Sequence, residues 1–177
     1  MNRTKSLVQV ALMTTIIIIL GLLPAIPLGF IPVPIVLQNM GIMLAAILLG
    51  AKKGSLAILL FLIVGLFLPV FTGGSTTLVV FAGPTAGYVF AWLLVPLALA
   101  GLRQLPPFSQ PLISFALIWL SGVLLVDVIG AIYLAHYTNA PLLPSLLSNL
   151  AFIPGDTIKA AIATIIGTKY RKQLGLE

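Results

Sequence analysis

Apolar residues run along this chain in six long stretches, at approximately 6–23, 35–51, 54–69, 84–103, 111–135 and 150–169, with turn-forming and polar residues gathered at the joints. About 20 apolar residues coiled as α-helix cross the hydrocarbon core of a bilayer. The pattern predicts an all-α membrane protein with six transmembrane helices in one bundle, residues 1–177 forming a single integral-membrane domain. The second and third stretches are short for a span.

Composition agrees with that reading. Of the 177 residues, 60% are hydrophobic and 7% charged, where a soluble domain would carry about a quarter charged. A formal net charge of +6 would suggest nucleic acid in a soluble protein. Here the positions of the charges remove that reading. Arg3 and Lys5, Lys52 and Lys53, Arg103, and Lys169, Arg171 and Lys172 gather at alternate ends of the predicted spans, and the joints at 24–34, 70–83 and 136–149 hold no lysine or arginine. By the positive-inside rule both termini are cytoplasmic and three short loops face outward, in the cell membrane. Arg3 and Lys5 before an apolar run also resemble a signal peptide, but the run is long and Pro24-Ala25-Ile26-Pro27 is a poor cleavage site. With no cysteine, disulfides and thiolate metal sites are excluded.

Lys159 is the one basic residue that does not fall at a membrane edge, and Asp156 precedes it by one helical turn. Charged groups cost roughly 2.5–3.5 kcal/mol each at a bilayer centre, so an intramembrane pair points to function. At about 1.5 Å per residue, Asp156 lies roughly 10 Å and Lys159 roughly 15 Å below the outer surface. Asp127 falls at a similar depth, and Gln38 and Asn39 one turn inside span two. Above this polar layer lie a proline-stiffened first loop, 24–34, and a second carrying Gly73 and Gly74, where backbone can approach a ligand closely. Asp156 and Lys159 share a helix face and would either knit helices together or meet a ligand. Trp92 and Trp119 read most simply as packing or lipid-facing residues, and His136 as a solvated interfacial one.

No catalytic constellation stands out: there is no serine–histidine arrangement with a third member, no metal-ligand cluster and no phosphate-binding Gly-x-x-x-x-Gly-Lys loop. No enzymatic activity, cofactor or metal is therefore expected, and any ATP-driven role needs other subunits.

Four runs carry a resemblance: Pro32-Val33-Pro34-Ile35-Val36-Leu37-Gln38-Asn39, Gly50-Ala51-Lys52-Lys53-Gly54, Phe81-Ala82-Gly83-Pro84-Thr85-Ala86-Gly87-Tyr88 and Ile153-Pro154-Gly155-Asp156-Thr157-Ile158-Lys159. With them, nearly the whole chain resembles the BioY family, the biotin-binding S components of energy-coupling factor (ECF) vitamin transporters. The resemblance implies a high-affinity biotin receptor, a substrate-binding domain open to the outside, with the vitamin beneath the first loop and the Gly73-Gly74 connection. It further implies partnership with a transmembrane scaffold subunit and two cytoplasmic ATPases. Asp156 and Lys159 match the family's polar binding residues, and Pro84, Thr85 and Tyr88 border the same pocket. S components also show small residues four apart on the first span, where the scaffold docks; here Ala11 is followed by Thr15.

On this reading Asp156, with Asn149 or Gln38, faces the ureido group. Lys159 supports the ureido carbonyl or the valerate carboxylate, and the helix start after Pro84 is a second candidate for the carboxylate. Asp127 enters on depth alone. The rival expectation is a self-sufficient secondary carrier for biotin or another small vitamin, coupled to protons through Asp127 or Asp156.

Overall fold

In the computed structural model, residues 3–104 and 110–173 are described; Met1 and Asn2, the 105–109 connection and residues 174–177 of the expected 1–177 domain lie outside them. The regular elements among them are helices, and pairing of extended backbone is limited to two isolated bridges.

Helix α1 (Arg3–Leu22) buries Val10, Met13, Thr14, Ile17 and Gly21, three and four residues apart along one face. Val8, Leu12, Ile16 and Ile19 are exposed on the opposite side, as a lipid-facing surface requires. The first connection is closed by a bridge in which Ile26 and Ile35 exchange two 2.9 Å backbone hydrogen bonds.

The predicted second and third spans fall in one element, α2 (Gln38–Phe67), broken at Gly50. A straight helix of 30 residues would separate its ends by about 45 Å. Instead the Gln38 amide donates to the Val70 carbonyl at 3.2 Å, and the backbone of Ala45 packs against Gly54. The element is a hairpin whose arms, 38–49 and 51–67, run back along each other. Gly50 makes the reversal with φ 72° and ψ −170°, a conformation essentially confined to glycine.

After a second bridge, Phe71 to Ser75, comes the short α3 (Thr77–Phe81), tied down by Thr77 Oγ1 donating to the Leu62 carbonyl at 2.8 Å. Helix α4 (Ala86–Leu102) follows. Next, α5 (Pro111–Trp119) passes through one π-helical turn at Leu120–Leu124 into α6 (Leu125–Thr138). Pro111 opens that run where its missing N–H is harmless. Asn139 ends it in the left-handed conformation at φ 52°. Helix α7 (Leu142–Ser148) and a 3₁₀ turn at Asn149–Ala151 lead into α8 (Ile153–Gln173).

Three described helical runs, Arg3–Leu22, Gln38–Phe67 and Pro111–Thr138, are long and apolar enough to cross a membrane, and Leu142–Ala151 with Ile153–Tyr170, bent by 55°, is a fourth if counted as one span. That is fewer than the six predicted stretches. Two of the six share the α2 hairpin, and α4 has only 17 residues. Helix α7 was not expected, because Pro141 and Pro144 give its sequence the look of a loop.

Helices α4 and α6 interlock through glycine and tyrosine. A Cβ on Gly130 would overlap the Tyr88 ring, and one on Gly87 would overlap the side chain of Tyr133. Each helix thus lends a gap to the other's tyrosine, which fixes where Tyr88 points. Beneath them Phe61, Phe71 and Trp92 form an aromatic cluster, with the Phe71 and Trp92 rings stacked at 6.4 Å.

Gly50→Ala isolates the cost of the hairpin, since a Cβ there meets no atom within 4 Å. The substitution should destabilise the protein by about 1–3 kcal/mol through backbone strain alone. Thermal unfolding in detergent would read this as a lowered midpoint; an unchanged midpoint would show that the turn does not need glycine.

Candidate functional site

The first turn of α8 carries Asp156 and, three residues on, Lys159, so both head groups stand on one face of the helix. Both are buried, at 6% and 5% exposure. Lys159 Nζ donates to Asp156 Oδ1 at 2.5 Å and to the Val36 carbonyl at 2.7 Å. Asp156 Oδ2 accepts from Asn39 Nδ2 at 3.2 Å, and the same Nδ2 lies 3.3 Å from the Gly122 carbonyl. Gly122 sits in the π turn, whose wider hydrogen-bond register leaves that carbonyl free to turn outward. The ion pair therefore ties α8 to the end of the first connection, the start of α2 and the middle of the α5–α6 run.

A second chain of hydrogen bonds joins α4 to α6. The Tyr88 hydroxyl donates to Asn149 Oδ1 at 2.9 Å, and Asn149 Nδ2 donates to the Asp127 carbonyl at 2.8 Å. The Tyr88 ring meets Phe152 edge-on at 5.9 Å. The Asp127 carboxyl is buried beside this chain, and its Oδ2 has no hydrogen-bond partner among the described residues. Asn39 Oδ1 is in the same condition.

These groups surround a cavity of about 210 Å³. Gln38, Asn39, Asp127, Asp156 and Lys159 give it a polar wall; Phe71, Tyr88, Val89, Trp92, Val126 and Phe152 give it an apolar one. The backbone from Val33 to Val36 closes one side, and Thr72, Ser75 and Thr85 line it elsewhere. A compact apolar pocket with a few convergent polar groups suits a small amphiphilic molecule. Among the described residues no three His, Cys, Asp or Glu side chains come together as a metal site.

Of the residues singled out in the sequence, Gln38, Asn39, Thr85, Tyr88, Asp127, Asp156 and Lys159 all line this cavity. Gln38 gives its amide hydrogens to the Ile17 and Val70 carbonyls, at 3.3 and 3.2 Å, so it also clamps α1 and the hairpin's far end. Asn149 stands behind Tyr88 rather than on the wall, with both ends of its amide engaged. Gly73 and Gly74, at φ 69° and 75°, form the turn between the lining residues Thr72 and Ser75 without lining the cavity themselves. Pro84 precedes the lining Thr85. The N–H groups of Ala86, Tyr88 and Val89 already bond the Gly83 and Thr85 carbonyls, so little of the helix start is open to an anion. Ala11 and Thr15 are exposed on α1, with the Thr15 hydroxyl folded back onto the Ala11 carbonyl at 3.0 Å.

Sequence reasoning missed the aromatic wall. Of its two expected roles, packing and lipid-facing, Trp92 takes the first, buried in the core, and it also lines the cavity, which was not foreseen. Its place four residues after Tyr88, on the same helix face, was the available signal. Phe71 borders the glycine turn, and Phe152 precedes the Pro-Gly-Asp run. The Val36 carbonyl, a backbone group, left no signal at all. Trp119 instead links the α5–α6 run to α8 by donating to Thr157 Oγ1 at 2.9 Å, and His136 is exposed.

A family model described as the BioY family matches residues 1–176. The biotin transporter BioY of Lactococcus lactis subsp. cremoris is 48% identical over 180 residues, covering 99% of this chain and 95% of its own. The biotin transporter BioY of Rhizobium etli is 39% identical over 177 residues, covering 93% and 91%. A crystal structure of the S-component for biotin from an ECF-type ABC transporter superposes with a TM-score of 0.91 at 47% identity, over 97% of this chain and 95% of that one.

Removing one member of a buried pair strands the other. Lys159→Met should destabilise the protein by about 3–5 kcal/mol, whereas adding Asp156→Asn to it should recover a large part of that loss. Unfolding midpoints of the two variants in detergent test this, and a double variant no more stable than Lys159→Met would contradict it.

Proposed function

The chain belongs to the BioY family, and on that basis we propose that it is the high-affinity biotin-binding S component of an ECF-type importer. It is a membrane transport protein rather than an enzyme. It takes biotin from outside the cell and releases it inward together with a scaffold subunit and two cytoplasmic ATPases. Its six spans are α1, the two arms of α2, α4, the α5–α6 run and α8, with α7 lying before the last. Both termini are cytoplasmic in a prokaryotic cell membrane, a topology supported by the distribution of lysine and arginine. Ala11 and Thr15, small and exposed on α1, face the scaffold, where small residues four apart let a partner helix come close.

The observation that carries this reading is the cavity of about 210 Å³ with the Asp156–Lys159 pair on one wall and Trp92, Phe71 and Phe152 on the other. Biotin has the same division: a polar ureido edge on an apolar fused ring system with an aliphatic chain. The ring system lies against the aromatic side chains. The ureido group meets the polar wall, Lys159 among its partners.

Purified protein in detergent should bind radiolabelled biotin, and Lys159→Ala should weaken binding by about tenfold or more. Unchanged affinity in a folded variant would remove Lys159 from the site. Vesicles holding this chain alone should bind biotin without accumulating it, uptake appearing only with the scaffold, the ATPases and ATP. Accumulation driven by a pH gradient in its absence of partners would instead identify a secondary carrier.

A further inference from the structure

Helix α7 and the turn after it are polar toward the protein and apolar away from it. Ser145 and Asn149, four residues apart, are buried, while Leu142, Leu143, Leu147 and Leu150 are exposed. A helix on a water-facing surface shows the opposite arrangement. The segment also lies at membrane depth. It descends to Asn149, whose amide donates to the Asp127 carbonyl at 2.8 Å. Asp127 stands about three turns before the end of α6 at Thr138, roughly 16 Å of helix. Near that end the Tyr133 and Tyr137 rings stack at 6.1 Å, the residue type that favours a membrane–water boundary. Helix α7 therefore runs back beneath this boundary, and its leucines face hydrocarbon.

Between α7 and the first connection runs a groove of about 280 Å³. Residues 30–32 form one side, and Leu134 and Thr138 of α6 with Pro144, Ser145 and Ser148 of α7 form most of the other. Each hydroxyl in this wall gives its hydrogen to its own stretch of helix. Thr138 donates to the Leu134 carbonyl at 2.8 Å, Ser145 to the Pro141 carbonyl at 3.2 Å and Ser148 to the Ser145 carbonyl at 2.9 Å. Pro32 and Pro144 bring no N–H, and among the described residues lining the groove none is charged. Such a wall suits a ligand that makes no hydrogen bonds and is held by dispersion contacts. Exposed Phe30 and Pro144 rim the groove, beside the leucine face of α7, so it is continuous with the lipid-facing surface.

We propose that this groove seats one acyl chain of a membrane lipid, drawn from the leaflet on the side where α6 ends and packed between the first connection and α7. The chain braces the first connection from behind. Pro32 lines the groove, and the next residue, Val33, lines the central cavity, so the bilayer itself backs one wall of that cavity. The seat does not depend on the identity of what the cavity binds.

The test is photolabelling of the native protein in phosphatidylcholine vesicles doped with a phosphatidylcholine that carries a diazirine on one tail, with adducts located by mass spectrometry. Leu134 is only 3% exposed, so a tail reaches it from within the groove and not from the general lipid surface. Adducts are expected at Leu134 and Ile31 as well as at the lipid-facing Leu12 and Ile16 of α1, and a water-soluble diazirine should leave Leu134 and Ile31 unlabelled. In Ser148→Phe the added ring fills the groove, so the lipid adducts at Leu134 and Ile31 should be lost while those on α1 persist. The two reagents on native protein decide the matter without the variant. Labelling of α1 with Leu134 and Ile31 left bare, or labelling of these two by the aqueous reagent, would overturn the proposal. So would groove adducts that persist unchanged in folded Ser148→Phe. Protection from both reagents that is lifted by diluting the protein in the bilayer would assign the groove to a second copy of the chain instead.

Discussion

A carboxylate and an ammonium buried inside an apolar bundle have to be compensated almost completely, and the structure is organised around how Asp156 and Lys159 achieve this. Their mutual contact at 2.5 Å cancels the net charge but does not satisfy every hydrogen-bonding position, and desolvation of such a pair can exceed its Coulombic gain. The Val36 carbonyl and the Asn39 amide supply the remainder. Both partners come from one short stretch at the start of α2, remote in sequence from α8, so the demand of one helical turn for hydrogen bonds fixes the placement of α8 against that stretch.

Meeting that demand required departures from regular backbone at three points. The Gly50 reversal folds α2 so that both its ends reach the same region of the bundle. The π turn at Leu120–Leu124 presents the Gly122 carbonyl to Asn39. The 55° bend between α7 and α8 lets Asn149 meet Tyr88 while Asp156 begins a new helix. In a membrane, irregular backbone is tolerated where it is enclosed by protein or lines a cavity, and the bend borders this one through Phe152.

The polar wall is held by protein–protein bonds, and the aromatic wall by stacking of Phe71 on Trp92 and by the Gly87–Tyr133 and Gly130–Tyr88 interlock. Groups ordered in advance cost a ligand less entropy on binding. Asn39 Oδ1 and Asp127 Oδ2, left without partners among the described residues, stand out because most polar groups around them are engaged with one another. A cavity built this way distinguishes ligands by donor and acceptor pattern more sharply than by bulk.

Much of this protein was legible in its sequence, because a bilayer imposes constraints that act locally. Apolar length marks helical segments residue by residue, and a buried acid one turn before a buried lysine is conspicuous against Ala, Ile and Phe. Asp156 and Lys159 could be picked out for that reason, helix depth grouped Asn39 and Asp127 with them, and Tyr88 came through the family resemblance. What the sequence could not convey was which atoms meet: that Val36 contributes its backbone carbonyl, that Trp92 faces inward, that Asn149 serves Tyr88 from behind the wall, or that Pro141 and Pro144 flank and enter a helix rather than a loop. Those outcomes depend on the hairpin at Gly50, the widened turn at Gly122 and the approach of α4 to α6. They were decided only in the tertiary structure, since hydrogen-bond satisfaction is a property of atoms far apart in the chain that share one enclosed volume.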